Sequence, residues 1–452
     1  MIRRLAPPKS EGHLSRRAVL SGGAALGASL LAGCGARSGA DLAARPISSQ
    51  FPLGVACGDV ADREAVVWTR YSGQLPLRLE VALEGAGGAS EKTMDVPVAV
   101  GDGGFVHLRL QQLIPGADYR YAFVEDGPGG AIAEGRFRPA PPASARERLI
   151  FSASACSRNG QSFGSLLQAA SRAADLHVLL GDTVYADGAS TREGYRAKWA
   201  ENLGTAAYQA LRADRSLIAT WDDHEVADNW SGSAGLESVL ETGIATFFEH
   251  TPIRRFPLEP WRIWRSVRWG LTAEFFVLDC RSERRPETRE TAEAQYISEA
   301  QLSWLLQGLE TSPAHFKVMV NSVPIGEFPG AFALTEDDRW FGYRAQRDRL
   351  LSFIEERAIR GVFFVSGDFH MASIGRVSMS GPGASLVEIL AGPTAAQGGG
   401  NPIWEQCRTP QFGFACATEN TAFFHLDPES GQVRVSWIAA DGRALADISF
   451  QP

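Results

Sequence analysis

Residues 176–187 read Leu-His-Val-Leu-Leu-Gly-Asp-Thr-Val-Tyr-Ala-Asp, and the fold follows from how this stretch is punctuated. The apolar run Leu176–Leu180 stops at Gly181-Asp182, and Tyr185 stands three residues beyond Asp182. A short apolar run bounded by glycine is the pattern of a strand buried on both faces. The form recurs along the chain. Leu149–Ala155 ends at Cys156, Ser216–Trp221 at Asp222-Asp223-His224-Glu225, Phe316–Val320 at Asn321, and Val362–Ser366 at Gly367-Asp368-Phe369-His370. Phe275–Leu278 is a further apolar run. Between the runs, Phe163, Leu166, Leu167 and Ala170 repeat at helical spacing. So do Leu302, Leu305, Leu306 and Leu309, behind Ser298 and Gln301 placed as a capping box. Buried strands alternating with amphipathic helices predict an α/β domain, built as an α/β sandwich, over residues 148–452. Ligands of such sheets bind just beyond the carboxyl ends of the strands, so the five endings are expected to meet on one rim.

Residues 45–138 follow another pattern. Val66-Val67-Trp68, Leu77–Val81 and Tyr119–Phe123 are short β-prone runs, separated by glycine-rich turns at 85–88, 101–104 and 127–130. Regular short strands without helical spacing predict a small immunoglobulin-like β-sandwich domain. Pro139-Ala140-Pro141-Pro142 marks the linker to the α/β domain, and a polar linker covers residues 35–50. No internal repeat is present.

The chain opens with Arg3, Arg4, Lys9, Arg16 and Arg17, followed by an Ala/Gly/Leu-rich run from Ala18 to Gly33. That run is shorter than the ~20 residues a spanning helix needs. Ser15-Arg16-Arg17-Ala18-Val19-Leu20 resembles a twin-arginine export signal, although Val19 stands where Phe is usual. Leu31-Ala32-Gly33-Cys34 resembles a bacterial lipobox with Cys34 as the lipidated residue. The expectation is a signal over residues 1–34, export by the twin-arginine machinery to the periplasm or another extracytoplasmic site, and membrane attachment through Cys34. The formal net charge is −8, and the basic N-terminus leaves the body more acidic still. An acidic body argues against a general nucleic-acid binder, whose affinity rests on neutralising phosphates. With 44% hydrophobic and 21% charged residues in 452, the chain can build two buried cores and is not disordered. No second apolar run approaches membrane length, which excludes a polytopic membrane protein.

Six cysteines are too few for a disulfide scaffold at this length. Cys407 and Cys416 could pair in an oxidising compartment, and Cys57 and Cys280 read as small buried residues. Cys156 differs because it closes a buried strand in the company of Asp182, Tyr185, Asp222, Asp223, His224, Asn321, Asp368 and His370. A thiolate and a phenolate suit iron, while Asp and Asn oxygens suit a harder ion such as calcium or magnesium. A central carboxylate can bridge two such ions. Cations a few ångströms apart would clamp phosphate oxygens and make hydroxide available near neutral pH, which lets an acidic protein accept an anion.

The ordered set Gly181-Asp182-Thr183-Val184-Tyr185-Ala186-Asp187, Trp221-Asp222-Asp223-His224-Glu225 with Asn229-Trp230, and Ser366-Gly367-Asp368-Phe369-His370 resembles the calcineurin-like metallophosphoesterases, and among them the PhoD-type alkaline phosphatases and phosphodiesterases. Phe51–Asp59 with Trp68-Thr69-Arg70 resembles the opening of that family's N-terminal domain, and Leu278-Asp279-Cys280-Arg281 resembles a fourth block. The resemblance covers almost the whole chain. It implies an iron (Fe³⁺)–calcium centre, with zinc, manganese or magnesium as alternatives. Cys156, Asp182, Tyr185 and His370 would hold iron; Asp182 would bridge to calcium, held also by Asp223, Asn321 and Asp368. His224 would stabilise transition-state charge or protonate the leaving oxygen, with Asp182 and Asp223 as its catalytic companions. Between the adjacent carboxylates, Asp223 is favoured over Asp222. Arg158 is a candidate for phosphate contact. The implied activity is hydrolysis of phosphate mono- or diesters by hydroxide generated at the metals, in a monomeric enzyme.

The rivals are a phosphodiesterase or phospholipase D-like enzyme with little monoesterase action, and a metal-stabilised binding protein without turnover. Glu225 is expected to support the motif rather than bind metal. Arg254, Arg255, Arg262, Arg265 and Arg268, interleaved with Trp261, Trp264 and Trp269, read first as a partly buried aromatic segment with solvated arginines. They read second as a face for a phosphodiester or phospholipid. The stretch from Gly398 to Cys416 is a candidate loop over the site.

Overall fold

The computed structural model describes residues 3–4, 47–85, 90–232, 237–396 and 400–452. Apart from residues 3–4, the stretch expected to be an export signal, with its twin arginines and Cys34, lies outside these residues. The N-terminal region supplies β1 (Val55–Gly58), β2 (Ala65–Arg70), β3 (Leu77–Glu84), β4 (Ser90–Val98), β5 (Phe105–Leu110), β6 (Tyr119–Glu125) and β7 (Ile132–Phe137). Strands and helices then alternate through β8 (Leu149–Ser154), α1 (Gly164–Ser171), β9 (Leu176–Leu179), α2 (Arg192–Leu203), α3 (Ala206–Asp214), β10 (Ser216–Ala219) and α4 (Glu237–His250). The second half carries β11 (Arg265–Trp269), β12 (Ala273–Val277), α5 (Glu299–Thr311), β13 (Phe316–Val320), α6 (Arg344–Glu356), β14 (Val362–Ser366), β15 (Ala372–Arg376), β16 (Val387–Leu390) and β17 (Phe412–Cys416). Three antiparallel strands close the chain: β18 (Asn420–Asp427), β19 (Gln432–Ala439) and β20 (Ala444–Phe450).

The apolar runs form two sheets packed face to face with helices outside, the expected α/β sandwich. The first sheet runs β20-β19-β18-β8-β9-β10-β1-β2-β5, with residues 3–4 at the β20 edge, and the second runs β11-β12-β13-β14-β16-β15-β17. Period-2 alternation explains why the runs are apolar throughout. Phe275, Val277, Val318, Val320, Phe363 and Val365 point between the sheets toward Phe151, Val178 and Phe424. Phe276, Met319 and Phe364 point outward onto Leu302, Leu305, Leu350 and Leu351 of α5 and α6. On the other side Leu179, Leu217 and Ala219 meet Leu166, Trp199, Leu211 and Phe247. Strands β8, β9 and β10 are parallel with Ser154, Leu179 and Ala219 in register, as are β12, β13 and β14 with Val277, Val320 and Val365. The carboxyl ends therefore align, and every predicted ligand sits just past one.

Two features depart from the local reading. The N-terminal region forms the expected β-rich domain, but it is joined to the α/β domain through a shared sheet and core. Its small sheet β4-β3-β6-β7 packs Leu79, Val81, Tyr121 and Phe123 on Val55, Cys57, Val67 and Val106, within one core continuous with the α/β sandwich. Strands β1, β2 and β5 extend the first sheet itself, through parallel pairing of Cys57 with Ser216. The proline-marked linker is correspondingly tied down, with Ala140 buried and its N–H donating to Ala61 O at 3.0 Å. The capping box of α5 forms by half: Ser298 Oγ accepts Gln301 N–H at 3.1 Å, but Gln301 Oε1 turns to Asp279 N–H at 2.9 Å. The buried strand-end amide of Asp279 has the stronger claim, since an unpaired one costs about 1–3 kcal/mol.

Candidate metal centre

Sharp turns at the strand ends aim the functional side chains. Cys156, Asp182, Asp368 and His370 all adopt positive φ, between 49° and 63°. Such backbone costs roughly 1–3 kcal/mol at each non-glycine residue and is kept where the surrounding structure enforces it. Gly181 has φ 108°, and a Cβ there would lie 2.5 Å from Asp222 Cβ, so the residue before Asp182 must be glycine. The loops are then stitched together. Ser157 N–H donates to Asp182 O at 2.8 Å. Asn202 Nδ2 donates to Ser157 O and Thr183 O at 2.7 and 2.8 Å. Glu225 accepts from Thr183 N–H at 2.6 Å and Asp222 N–H at 3.0 Å, which makes it a strut between two loops.

On this frame Cys156, Asp182 and His370 bring their ligating atoms within 4.8 Å of one another, and so do Asp182, Asp223 and His224. Asp182 is common to both groups. Tyr185 Oη lies 2.8 Å from His370 Nε2 and 3.3 Å from Asp182 Oδ2, at the edge of the first group. Cys156, Asp182 and Asp223 are buried, yet Asp182 Oδ1 and Asp223 Oδ1 have no hydrogen-bond partner. Buried anionic oxygens without donors call for a cation.

The electrostatics agree. Burial, then the Asp223 charge, raises the Asp182 carboxyl; burial, then Asp182 and Asp368, raises the Cys156 thiol. Burial and Asp182 likewise hold the Tyr185 phenol far above its ordinary range, and burial with Asp222 raises Asp368. For Asp223 burial acts upward, but Arg281 and His224 outweigh it and the carboxyl lies below its usual range. His224 Nδ1 meets Asp187 Oδ2 at 2.7 Å, and its ring stacks on Tyr185 with centroids 4.0 Å apart. Burial disfavours the His224 imidazolium, but Asp182, Asp187 and Asp223 together push its pKa up to about 11.

The two adjacent carboxylates point apart. Asp222 Oδ1 accepts from Arg281 Nε at 2.7 Å and Ser322 Oγ at 3.1 Å, while Asp223 joins Asp182 and His224. Asp368 lies at the rim outside both groups, and Asn321 stands at the rim as well. Asn321 Oδ1 accepts from Cys280 Sγ at 2.8 Å and Trp340 Nε1 at 3.2 Å, and its Nδ2 is unpartnered. Asp368 faces a cavity of about 670 Å³ beside His370. Phe332 and Phe369, stacked 4.9 Å apart, line it together with Ile403, which packs on their cluster, and with Arg284 and Arg289. Gly400 and Asn401 also line it, which puts the start of the 398–416 stretch beside the site; residues 397–399 lie outside the described ones. Arg158 is exposed and is among the charges acting on His370.

The Arg/Trp segment stays outside this cluster. Trp264 and Trp269 are buried, and Arg265, expected to be solvated, is buried in a two-point ion pair with Asp59 at 2.6 and 2.7 Å. Cys407 and Cys416 are both free thiols, as are the buried Cys57 and Cys280. The sequence reading quoted Asp187 and Arg281 within its motifs without giving them a role, and it did not single out Asn202 or Asp338.

A family model described as PhoD-like phosphatase matches residues 150–439, and one for the N-terminal domain of PhoD-like phosphatases matches residues 36–141. Alkaline phosphatase D of Bacillus subtilis (strain 168) is 25% identical over 378 residues, 72% of this chain and 65% of that protein. The match thus spans somewhat less than two thirds of that relative's length. The fold is similar to a solved structure of PhoD, with TM-score 0.78 at 22% identity over 90% of this chain and 92% of that one. It is also similar to purple acid phosphatase PPD1 from yellow lupin (Lupinus luteus) seeds, with TM-score 0.63 at 14% identity over 88% and 73% of the two chains.

Proposed function

Because the chain belongs to the PhoD-like phosphatase family, we propose that it is an exported metal-dependent phosphoesterase that hydrolyses phosphate mono- or diesters. The observation that carries this is the pair of ligand groups sharing Asp182, with buried oxygens of Asp182 and Asp223 left without donors. Donor chemistry assigns the positions. Cys156, Tyr185, His370 and Asp182 would hold iron, since thiolate, phenolate and imidazole are its partners. Asp182, Asp223, Asn321 and Asp368 would hold calcium. Held there, the ions would supply charge neutralisation for phosphate oxygens and a lowered pKa for a water.

The chain's own residues do the rest. His224, fixed by Asp187 and stacked on Tyr185, presents Nε2 to the centre and delivers a proton to the leaving oxygen. Arg158, exposed beside His370, meets the incoming phosphate. The aromatic cavity accepts the organic part of the ester, and its size favours substrates with a sizeable organic group, including diesters. Export by the twin-arginine route and attachment through Cys34 belong to the same proposal and rest on the N-terminal sequence.

Elemental analysis of exported protein purified without chelator tests the reading. Iron together with calcium is the expected result, with turnover of aryl phosphate mono- and diesters. Zinc or manganese alone would keep the phosphoesterase class and overturn the ligand assignment. No metal, even after ions are added back, would leave a binding protein without turnover.

A further inference from the structure

Arg281 is a fully buried guanidinium between the metal centre and the wall of the cavity. Its Nε donates to Asp222 Oδ1 at 2.7 Å, and Asp222 is the backbone neighbour of the metal-facing Asp223. Its Nη1 donates to both oxygens of Asp338 at 2.9 and 3.0 Å. Asp338 lines the cavity, and Arg284, another lining residue, pairs with it at 2.9 Å. The third nitrogen, Nη2, lies 3.8 Å from Asp223 Oδ1, and neither atom has a hydrogen-bond partner.

That spacing is informative. A hydrogen bond would have occupied one lone pair of Asp223 Oδ1, the oxygen that has no donor. At 3.8 Å the guanidinium keeps Asp223 charged and oriented by Coulomb attraction while leaving its oxygen available. Lysine could not serve, because one ammonium cannot reach three carboxylates in fixed directions.

We propose that Arg281 is a positioning residue that fixes Asp223 for its metal and, through Asp338, ties the substrate-cavity wall to the metal centre. The inference rests on the metal centre proposed above. It predicts that the two ions respond unequally to a change at Arg281. Groups outside the ligand set that orient ligands typically cost 10–100-fold in metal affinity when altered.

The test titrates chelator-treated wild type and Arg281→Lys with calcium and with iron, reading stoichiometry and affinity by calorimetry and elemental analysis. The expected result is calcium affinity lower by about 10–100-fold with iron stoichiometry unchanged. Asp338→Asn, at a partly exposed position, provides the second arm. Its expected effect is a rise in KM for a bulky aryl phosphodiester together with a smaller loss of calcium affinity than in Arg281→Lys, iron stoichiometry being unchanged. Folded Arg281→Lys that binds both ions as wild type does would overturn the positioning role, and equal loss of both ions would reduce Arg281 to general support. Unchanged KM in Asp338→Asn would overturn the tie to the cavity, and that arm decides the matter if Arg281→Lys does not fold. Failure of wild type itself to bind metal would instead strike the proposed function.

Discussion

The two sheets supply the rim of the site in different states of readiness. Loops from the first sheet supply Cys156 and Asp182 to one group and Asp182, Asp223 and His224 to the other, stitched by Asn202 and Glu225. Loops from the second sheet add His370 to the first group, while Asn321 Oδ1 is turned to Trp340 and Asp368 faces the cavity. The protein's own hydrogen-bonded frame therefore holds more of the ligating set on the first rim than on the second. Preorganisation of this kind lowers the cost of binding because the ordering is already done.

The comparison breaks most visibly at Asp182, which serves both groups. Asp182→Asn is expected to abolish measurable hydrolysis and to lower the content of both metals, read by elemental analysis. Loss of one ion alone would mean that the groups do not share a ligand. His224→Ala removes a group of the same rim that the proposal gives no metal, so metal content should survive while turnover falls by ~10²–10⁴-fold. Unchanged turnover would refute its role as the proton donor.

Gly181→Ala attacks the frame instead of the ligands. The added methyl would meet Asp222 Cβ at 2.5 Å in a backbone conformation that side chains disfavour. Overpacking and positive φ together should lower stability by about 2–4 kcal/mol, measured by denaturant unfolding. A smaller loss would mean that the Asp222 loop yields easily and that the first rim is less rigid than argued.

The same half of the molecule holds the acid-sensitive groups. His177 on β9 sits buried between Ser152 Oγ and Ser154 Oγ, at 2.8 Å from each, and burial pushes its pKa down to about 3. Burial lowers His107 on β5 to about 4, and His250 at the end of α4 falls as well. The unfolded chain takes up protons on these groups near pH 6.5 and the folded chain does not. Stability is thus complete above roughly pH 6.5 and declines as pH falls from there toward 4, by at most ~1.4 kcal/mol per pH unit for each histidine. Hydrogen exchange at pH 7 and pH 5 should show protection falling first in the first sheet and its extension. Equal loss in β12–β14 would assign the acid response elsewhere.

Much of this was legible in the chain because strand burial and ligand chemistry are both local. An apolar run closing on Gly-Asp or Cys can be read without knowing its partners, and Cys156, Asp182, Asp223, His224 and His370 do converge. What was not legible depends on pairing. Nothing in Val55–Gly58 says that it lies beside β10, so the joining of the N-terminal domain to the first sheet could not be read. Asn202 sits on α2 and resembles any helical polar residue until Ser157 and Thr183 present their carbonyls. Arg265 read as solvated because its partner, Asp59, is distant in sequence.

The finest distinction concerns Asn321. Its Oδ1 already accepts from Trp340 and Cys280, and a carbonyl oxygen has two lone pairs, so little capacity remains for an ion in this orientation. Asn321→Ala should therefore weaken calcium binding by only about tenfold, against a larger loss for Asp223→Asn. The substitution also strands a buried indole N–H, which costs about 1–3 kcal/mol of stability whether or not calcium is present. Calcium titration of the folded variant separates the two effects, since the stability loss persists in chelator and the affinity loss does not. Equal calcium losses at Asn321 and Asp223 would place both rims on the same footing, because an amide that turns freely to meet the ion is as good a ligand as a carboxylate held in advance.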